Sequence, residues 1–449
     1  MVADSALVVG LGISGAAVAR ALRQRGYDVV AVDDHPSDAV RARRAELEQL
    51  GVEVVTKPDA SALAALVHGA DLVVPSPGVP PRHPVFAVAR DRGVSLVGDV
   101  ELASRWANRP LVAVTGTNGK TTVTGLVTDM LVASGITAVA AGNIGVPLAE
   151  AADGPAELLV VEVSSFQLEL TERFRPAVAV WLNLAPDHLD WHRDMEDYAR
   201  AKARIWANQQ DDDTAVVNAD DATVQRWAAT APSRVVRFGL RDADYRVDGD
   251  VLRTPDGTEI VDVAALHRSL PHDLENALAA SAAALAAGAS LDGVRAALRE
   301  WRGSPHRVAL VGDAGGVQWY DDSKATNPHA ALAALRGFDS VVLVAGGRNK
   351  GLDLSALAQA ADRVRAVVAI GDAAPEVQQA FADVRPVTVA ASMDDAVRAA
   401  AAYAEPGDAV LLSPGCASFD WYGSYAERGD DFARAVGELL GEDARAGRS

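Results

Sequence analysis

Short apolar, β-branched runs recur along the chain and alternate with longer amphipathic or alanine-rich stretches. The runs are Ala6–Val9, Asp28–Val32, Val52–Val55, Leu72–Val74, Leu111–Val114, Leu158–Val161, Val178–Leu182, Ser340–Val344, Arg365–Ile370 and Ala409–Leu412. Strand-length runs separated by helix-length segments predict βαβ units and parallel sheets. Parallel strands buried on both faces read as continuous apolar runs, as these do. The expected fold class is α/β.

The pattern breaks twice. Arg105–Pro110 ends a helical stretch and sets a proline before a new strand, and Gly303–His306 is a second polar, proline-containing interruption. At roughly 150 residues per domain, a chain of 449 residues predicts about three domains. We place them at residues 1–108, 109–303 and 304–449. Thr230–Asp262 is polar and irregular and reads as a β-rich excursion of the middle domain. Asp443–Ser449 reads as a frayed tail.

Composition narrows the class of function. With 42 Lys and Arg against 61 Asp and Glu, the net charge is −19, which argues against a general nucleic-acid binder. Backbone N–H groups and a few placed lysines still suffice for phosphate ligands. The lone cysteine, Cys416, allows no internal disulfide and fits a reducing compartment. Asp4 stands where a signal peptide would be basic, and the apolar stretch Ala277–Ala289 is too short to span a bilayer. The chain reads as a soluble cytoplasmic protein without membrane insertion.

Candidate chemistry sits where strands end. Gly10-Leu11-Gly12-Ile13-Ser14-Gly15 follows the first strand and opens a helix, matching G-x-G-x-x-G in its usual context. Asp33 or Asp34 ends the next strand, at the distance expected for a ribose hydroxyl. NAD is the obvious ligand, but the geometry suits any diphosphate. The turn around Ser76 and Gly78 follows another strand and is equally a rigid proline-rich exit or a ligand contact. Gly116-Thr117-Asn118-Gly119-Lys120-Thr121-Thr122 lies between a strand and an apolar helix. Its amides can wrap phosphate oxygens, Lys120 can reach the terminal phosphates, and the Thr121 hydroxyl can ligate Mg2+. Val114 holds the place of the usual first glycine, so the loop is a shortened variant. Glu162 ends a strand, where a carboxylate is well placed to hold Mg2+. Asp187 and His188 offer a metal-ligand or acid/base pair, but on residue chemistry alone a structural role is the better reading of a lone histidine; His192 reads as structural. On sequence chemistry alone Lys202 is a solvated helix lysine, Lys350 a solvated loop lysine and Asn276 a polar first-turn residue.

Gly116–Thr122 resembles the ATP loop of the Mur ligases, enzymes that use ATP to add amino acids to UDP-muramoyl precursors of peptidoglycan. Asp322-Ser323-Lys324-Ala325-Thr326-Asn327 matches the D-S-K-A-T-N element of that family, and the resemblance covers essentially the whole chain. Ser413–Tyr422, with Tyr425 and Glu427–Phe432, resembles the branch that adds D-glutamate.

The resemblance implies a Rossmann-like N-terminal domain for the UDP-sugar, a central P-loop-type ATPase domain and a Rossmann-like C-terminal domain for the amino acid. It implies UDP-sugar contacts at Gly12, Ile13, Ser14, Asp33, Ser76, Gly78, Asn143 and His188. For ATP it implies Gly116–Thr122 with Asn276, Arg307 and Asp322, and for D-glutamate Thr326, Lys350, Ser418 and Tyr425. Catalytic roles fall to Lys120, Glu162, His188, Lys202 and Lys324. Mg2+ is implied at two sites, through Thr121, Glu162, His188 and a carbamylated Lys202. Carbamylation needs a neutral amine, hence burial or neighbouring cations. Asp273 and Tyr425 depart from the family pattern, which commonly has Asn and Phe there. The implied reaction joins D-glutamate to UDP-N-acetylmuramoyl-L-alanine through an acyl phosphate, and the chain is read as a monomer. A folate-type ligase should lack the first glycine turn. An NAD-dependent dehydrogenase would leave Gly116–Thr122 and Asp322–Asn327 unexplained, and a non-catalytic nucleotide switch would not need Glu162, Lys324 and Ser418 together.

Overall fold

The computed structural model describes residues 4–35 and 37–446. The chain forms two compact units. The first runs to Leu184 and takes in Trp191–Asp262 and Asn276–Arg299; the second comprises Ala185–Asp190, Val263–Glu275 and the chain from Glu300 onward.

The first unit holds two parallel sheets. Strands β1 (Ser5–Val9), β2 (Asp28–Asp33), β3 (Glu53–Thr56), β4 (Leu72–Pro75) and β5 (Ser95–Leu96) lie in the order β3-β2-β1-β4-β5. Strands β6 (Leu111–Thr115), β7 (Ala138–Gly142), β8 (Leu158–Glu162), β9 (Val178–Trp181), β10 (Thr214–Asn218) and β11 (Arg234–Phe238) lie in the order β11-β10-β9-β6-β8-β7. Every residue of β6, β8 and β9 is buried, as expected for strands covered by helices on both faces. The polar segment after β10 supplies β11 and a small antiparallel sheet of β12 (Arg246–Asp248), β13 (Val251–Arg253) and β14 (Glu259–Asp262).

Two buried carboxylates tie the helix Asp99–Trp106 to the segment after β8. Glu101 accepts from the backbone N–H groups of Glu172, Arg173 and Phe174 and pairs with Arg105. Asp99 accepts from Gln167 Nε2 at 3.1 Å. Each is buried with its acceptors engaged, as a buried charge requires.

The second unit carries a mixed sheet. Strands β15 (Ala309–Ala314), β16 (Val317–Asp321), β17 (Val341–Gly346), β18 (Val364–Ile370), β19 (Val387–Val389) and β20 (Ala409–Gly415) take the order β15-β16-β20-β17-β18-β19. Only the edge pair β15–β16 is antiparallel. All ten apolar runs are strands, with ends displaced by up to three residues. One expectation fails: the helix Tyr425–Ala446 takes in Asp443–Ala446, which was expected to fray. The remainder of that tail, residues 447–449, lies outside the described residues. Among the described residues no helix is long and apolar enough to cross a membrane.

Candidate active site

Parallel sheets present their ligand loops at the carboxyl ends of the strands, where strand order reverses. In the first sheet that point lies between β1 and β4. The turns after both strands line a cleft of about 810 Å³, together with the exit of β2 and the Gly142–Pro147 turn after β7. Gly12, Ile13, Ser14, Asp33, Ser76, Gly78 and Asn143 all line it. Gly15 explains the third glycine of the motif: a Cβ there would lie 1.9 Å from the Gly10 carbonyl oxygen. Ser76 Oγ donates to that same carbonyl at 2.6 Å. Asp33 accepts from the N–H groups of Leu11 and His35, each at 2.7 Å, so its carboxylate shapes the turn.

The loop after β6 is held from beneath. Asn183, just beyond β9, accepts through Oδ1 from Thr117 N and Asn118 N at 3.1 and 2.9 Å, and its Nδ2 donates to the Asn118 carbonyl. Gly119 has φ +87°, and a Cβ there would lie 2.6 Å from Asn276 Oδ1, so the loop and Asn276 are in close approach. Lys120 Nζ donates to the carbonyls of Gly116 and Thr117, both at 3.0 Å. Glu162 is buried at the end of β8. Its carboxylate accepts from the Thr121 hydroxyl and from Asn143 Nδ2, each at 2.9 Å. A buried carboxylate beside a hydroxyl, next to a phosphate-type loop, is the hard-oxygen donor chemistry that suits Mg2+. Among the described residues no cluster of three or more His, Cys, Asp and Glu forms a fuller metal cage.

Lys202 is not the solvated lysine that its helix suggests. It is 1% exposed, and its Nζ donates to the Gly116 carbonyl at 2.8 Å and lies 4.7 Å from the Tyr198 ring centre. His192 is buried against Phe166 and Tyr198 and bonds Ser165 Oγ, a structural arrangement.

In the second unit three loops converge, those after β16, β17 and β20. His188, at φ 55°, belongs to this unit, and its N–H donates to Asp187 Oδ1 at 2.9 Å. Asp187 also accepts from Asn327 Nδ2 at 3.1 Å and lies 3.8 Å from Lys350 Nζ. Lys350 and the D-S-K-A-T-N segment are therefore joined by a carboxylate. Lys324 Nζ lies 5.4 Å from the Tyr425 ring centre, and Ser323 Oγ donates to the Tyr425 carbonyl. The backbone of Thr326 bonds Lys324, and Ser418 is buried in the loop after β20. Asp322 is buried too: desolvation raises its carboxyl to about 7, although Ser413 Oγ donates to it at 2.7 Å and Arg307 opposes the shift. The Arg307 carbonyl accepts from Arg268, whose guanidinium also brackets Asp273. Burial pushes the Cys416 thiol up to about 12, an unreactive, structural setting.

Sequence reasoning missed Asn183 and Arg428. Arg428 is 1% exposed and donates to Ser323 Oγ, the Ser323 carbonyl and the carbonyls of Cys416 and Ala417. It clamps the loop after β16 to the loop after β20. Arg428 lies within the Glu427–Phe432 block and Asn183 just after a strand, yet neither spacing reveals the role, because each acts on partners more than 60 positions away or on a neighbouring loop.

Known proteins share this organisation. A Mur ligase MurD-like N-terminal domain matches residues 4–98, the Mur ligase middle domain residues 114–284, and the Mur ligase glutamate ligase domain residues 306–416. The UDP-N-acetylmuramoylalanine–D-glutamate ligase of Frankia casuarinae is 48% identical, over 96% of this chain and 93% of its own. The chain belongs to the Mur ligase family. The enzyme of the same name from Thermobifida fusca is 42% identical over 97% of this chain and 98% of its own. Among solved Mur ligase folds, a pseudomurein peptide ligase type C from Methanothermus fervidus has a TM-score of 0.60 at 19% identity, covering 97% of this chain and all of its own. UDP-N-acetylmuramate-alanine ligase from Thermotoga maritima has the same TM-score at 20% identity, covering 97% and 99%. The three-domain Mur ligase architecture accounts for the three large sheets.

Proposed function

We propose that this protein is an ATP-dependent ligase that adds D-glutamate to UDP-N-acetylmuramoyl-L-alanine, giving ADP and phosphate. The observation that carries this reading is the near-full-length identity to enzymes of that name. The loops at the strand ends support it.

A free carboxylate is a poor acyl donor. One oxygen of the L-alanyl carboxylate attacks the γ-phosphorus of ATP, the bond to ADP breaks, and an acyl phosphate forms. The D-glutamate amine then attacks the carbonyl carbon, and inorganic phosphate leaves as the amide forms. Residues 1–108 take the UDP-sugar, 109–303 the ATP and 304–449 the amino acid. The Gly116–Thr122 loop holds the phosphates through Lys120 and the amides that Asn183 does not engage; Asn183 fixes the loop by bonding those of Thr117 and Asn118. Arg307 offers a planar fork to the transferred phosphoryl. Asn276 contacts adenine and Asp322 the ribose. Thr326, Lys350 and Ser418 hold the glutamate side-chain carboxylate, with Tyr425 packing beside it and Lys324 near the reacting groups.

Thr121 and Glu162 would hold Mg2+, and His188 and a carbamylated Lys202 are read as further ligands. Bound Mg2+ supplies charge neutralisation on the phosphates. We take the protein as a cytoplasmic monomer, in the compartment that supplies ATP and nucleotide-activated precursors. Purified protein should release phosphate from ATP only when UDP-N-acetylmuramoyl-L-alanine and D-glutamate are both present. Equal turnover with L-glutamate, or none with the stated pair, overturns the reading.

A further inference from the structure

The first sheet's cleft has an electrostatic problem. Two of its lining residues, Asp33 and Asp34, are acidic, and the ligand proposed for it carries a diphosphate. Both carboxylates are engaged without a lysine or arginine: Asp33 by the N–H groups of Leu11 and His35, Asp34 by His83 Nε2 at 2.9 Å. Among the described residues that line the cleft, Arg43 is the one Lys or Arg.

Arg43 differs from the other arginines of its own helix. On the same helix, Asp38–Gln49, Arg41 pairs with Asp38 and Arg44 with Glu48. On the helix Ile13–Gln24, Arg20 pairs with Glu46 and Glu150. Among the described residues no carboxylate lies within ion-pair distance of Arg43. Its Nη1 donates to the Leu11 carbonyl at 3.1 Å, inside the glycine turn and next to Gly12. The guanidinium is thus anchored by one N–H at the turn, and a guanidinium held by one edge still has the donors for a planar, bidentate acceptor.

We propose that Arg43 is an anion-binding residue of this cleft, whose guanidinium takes the diphosphate of the bound nucleotide. The assignment rests on the reading of the cleft as a nucleotide-sugar site. It explains how an acidic chain, with two carboxylates in the cleft itself, accepts an anionic ligand: the one Lys or Arg among the described lining residues is held at the glycine turn by a backbone carbonyl instead of a carboxylate. Arginine suits the role because one edge can hold the backbone carbonyl while the other meets phosphate oxygens.

The test compares UDP with uridine as ligands of the intact protein by calorimetry. Arg43→Gln should weaken UDP by about tenfold to a hundredfold, the loss of a charge-assisted contact, and leave uridine within about twofold. Arg43→Lys, which keeps the charge and loses the fork, should fall between. Equal UDP affinity in Arg43→Gln and the unchanged protein overturns the proposal. Equal losses for UDP and uridine also overturn it, because a turn that merely collapses would weaken both. If the unchanged protein ignores UDP, the cleft assignment itself falls and takes this proposal with it. Arg43→Gln should leave ATP binding at Gly116–Thr122 unchanged.

Discussion

Asn183 and Asn118 bond each other in both directions: Asn118 N donates to Asn183 Oδ1 at 2.9 Å, and Asn183 Nδ2 donates to the Asn118 carbonyl at 3.1 Å. One side chain thereby satisfies the backbone of a loop whose remaining N–H groups are needed for phosphate. Asn183→Ala should raise the KM for ATP about tenfold, since loosening the loop forfeits roughly 1–2 kcal/mol of prepaid order. The KM for D-glutamate should not move. An unchanged KM for ATP would show that the loop holds its shape without this brace.

Glu162 meets Thr121 Oγ1 at 2.9 Å, and the pair is the best hard-oxygen site beside the ATP loop. Glu162→Gln keeps the volume and removes the charge. The Mg2+ concentration for half-maximal phosphate release should rise at least about tenfold, by loss of a charged ligand. Chelation of Mg2+ should abolish turnover in the unchanged protein. A variant with the same Mg2+ dependence as its parent would remove Glu162 from the metal site.

Lys202 is fully buried beside the Gly116 carbonyl. A carbamate there would act as a carboxylate, so short carboxylic acids can replace it. Lys202→Ala should lose most activity and regain a measurable part with added acetate or formate. Loss of activity with no recovery across several short acids would count against the carbamate.

Asp99 gives a pH signature of the contact between the helix Asp99–Trp106 and Gln167. Desolvation raises its carboxyl from 3.8 to about 6. A raised carboxyl binds its proton more tightly in the folded state, so folding stability falls as pH climbs from about 4 to 6 and is flat above. The slope from this group reaches at most about 1.4 kcal/mol per pH unit. Asp99→Asn should remove that decline, seen as flatter melting temperatures across pH 4–6. Glu101 acts in the opposite sense, because the N–H groups of Glu172 and Arg173 and the Arg105 guanidinium hold it below its ordinary value. Its share therefore cancels when Asp99→Asn is compared with the parent.

What was legible in the sequence was what is written locally. A strand such as Leu158–Glu162 is apolar because both of its faces are covered, and the turn Gly116–Thr122 carries its residue types at fixed spacing. The edge strand Val387–Val389 is half-buried and three residues long, too little for periodicity to mark. Lys202 reads as solvated because four of the nine residues of its helix are charged; its burial depends on the Gly116 loop, 86 positions away. Asp187 lies beside motif residues in sequence, yet its bonding to Asn327 and nearness to Lys350 come from tertiary folding alone.

Arg428 shows the same non-local logic in its strongest form. Its guanidinium makes four hydrogen bonds, to Ser323 Oγ and three backbone carbonyls, and burial lowers it only to about 10, so it stays charged at neutral pH. A lysine ammonium is a compact point donor on a flexible stem and cannot span acceptors on two loops. Arg428→Lys should leave several buried acceptors unsatisfied and cost about 3 kcal/mol of folding stability. The loops it joins carry Lys324, Thr326 and Ser418, so the KM for D-glutamate should rise about tenfold while the KM for ATP stays put. Denaturant unfolding and paired KM measurements separate the two effects. A stability loss without the selective change in D-glutamate KM would reduce Arg428 to a structural strut.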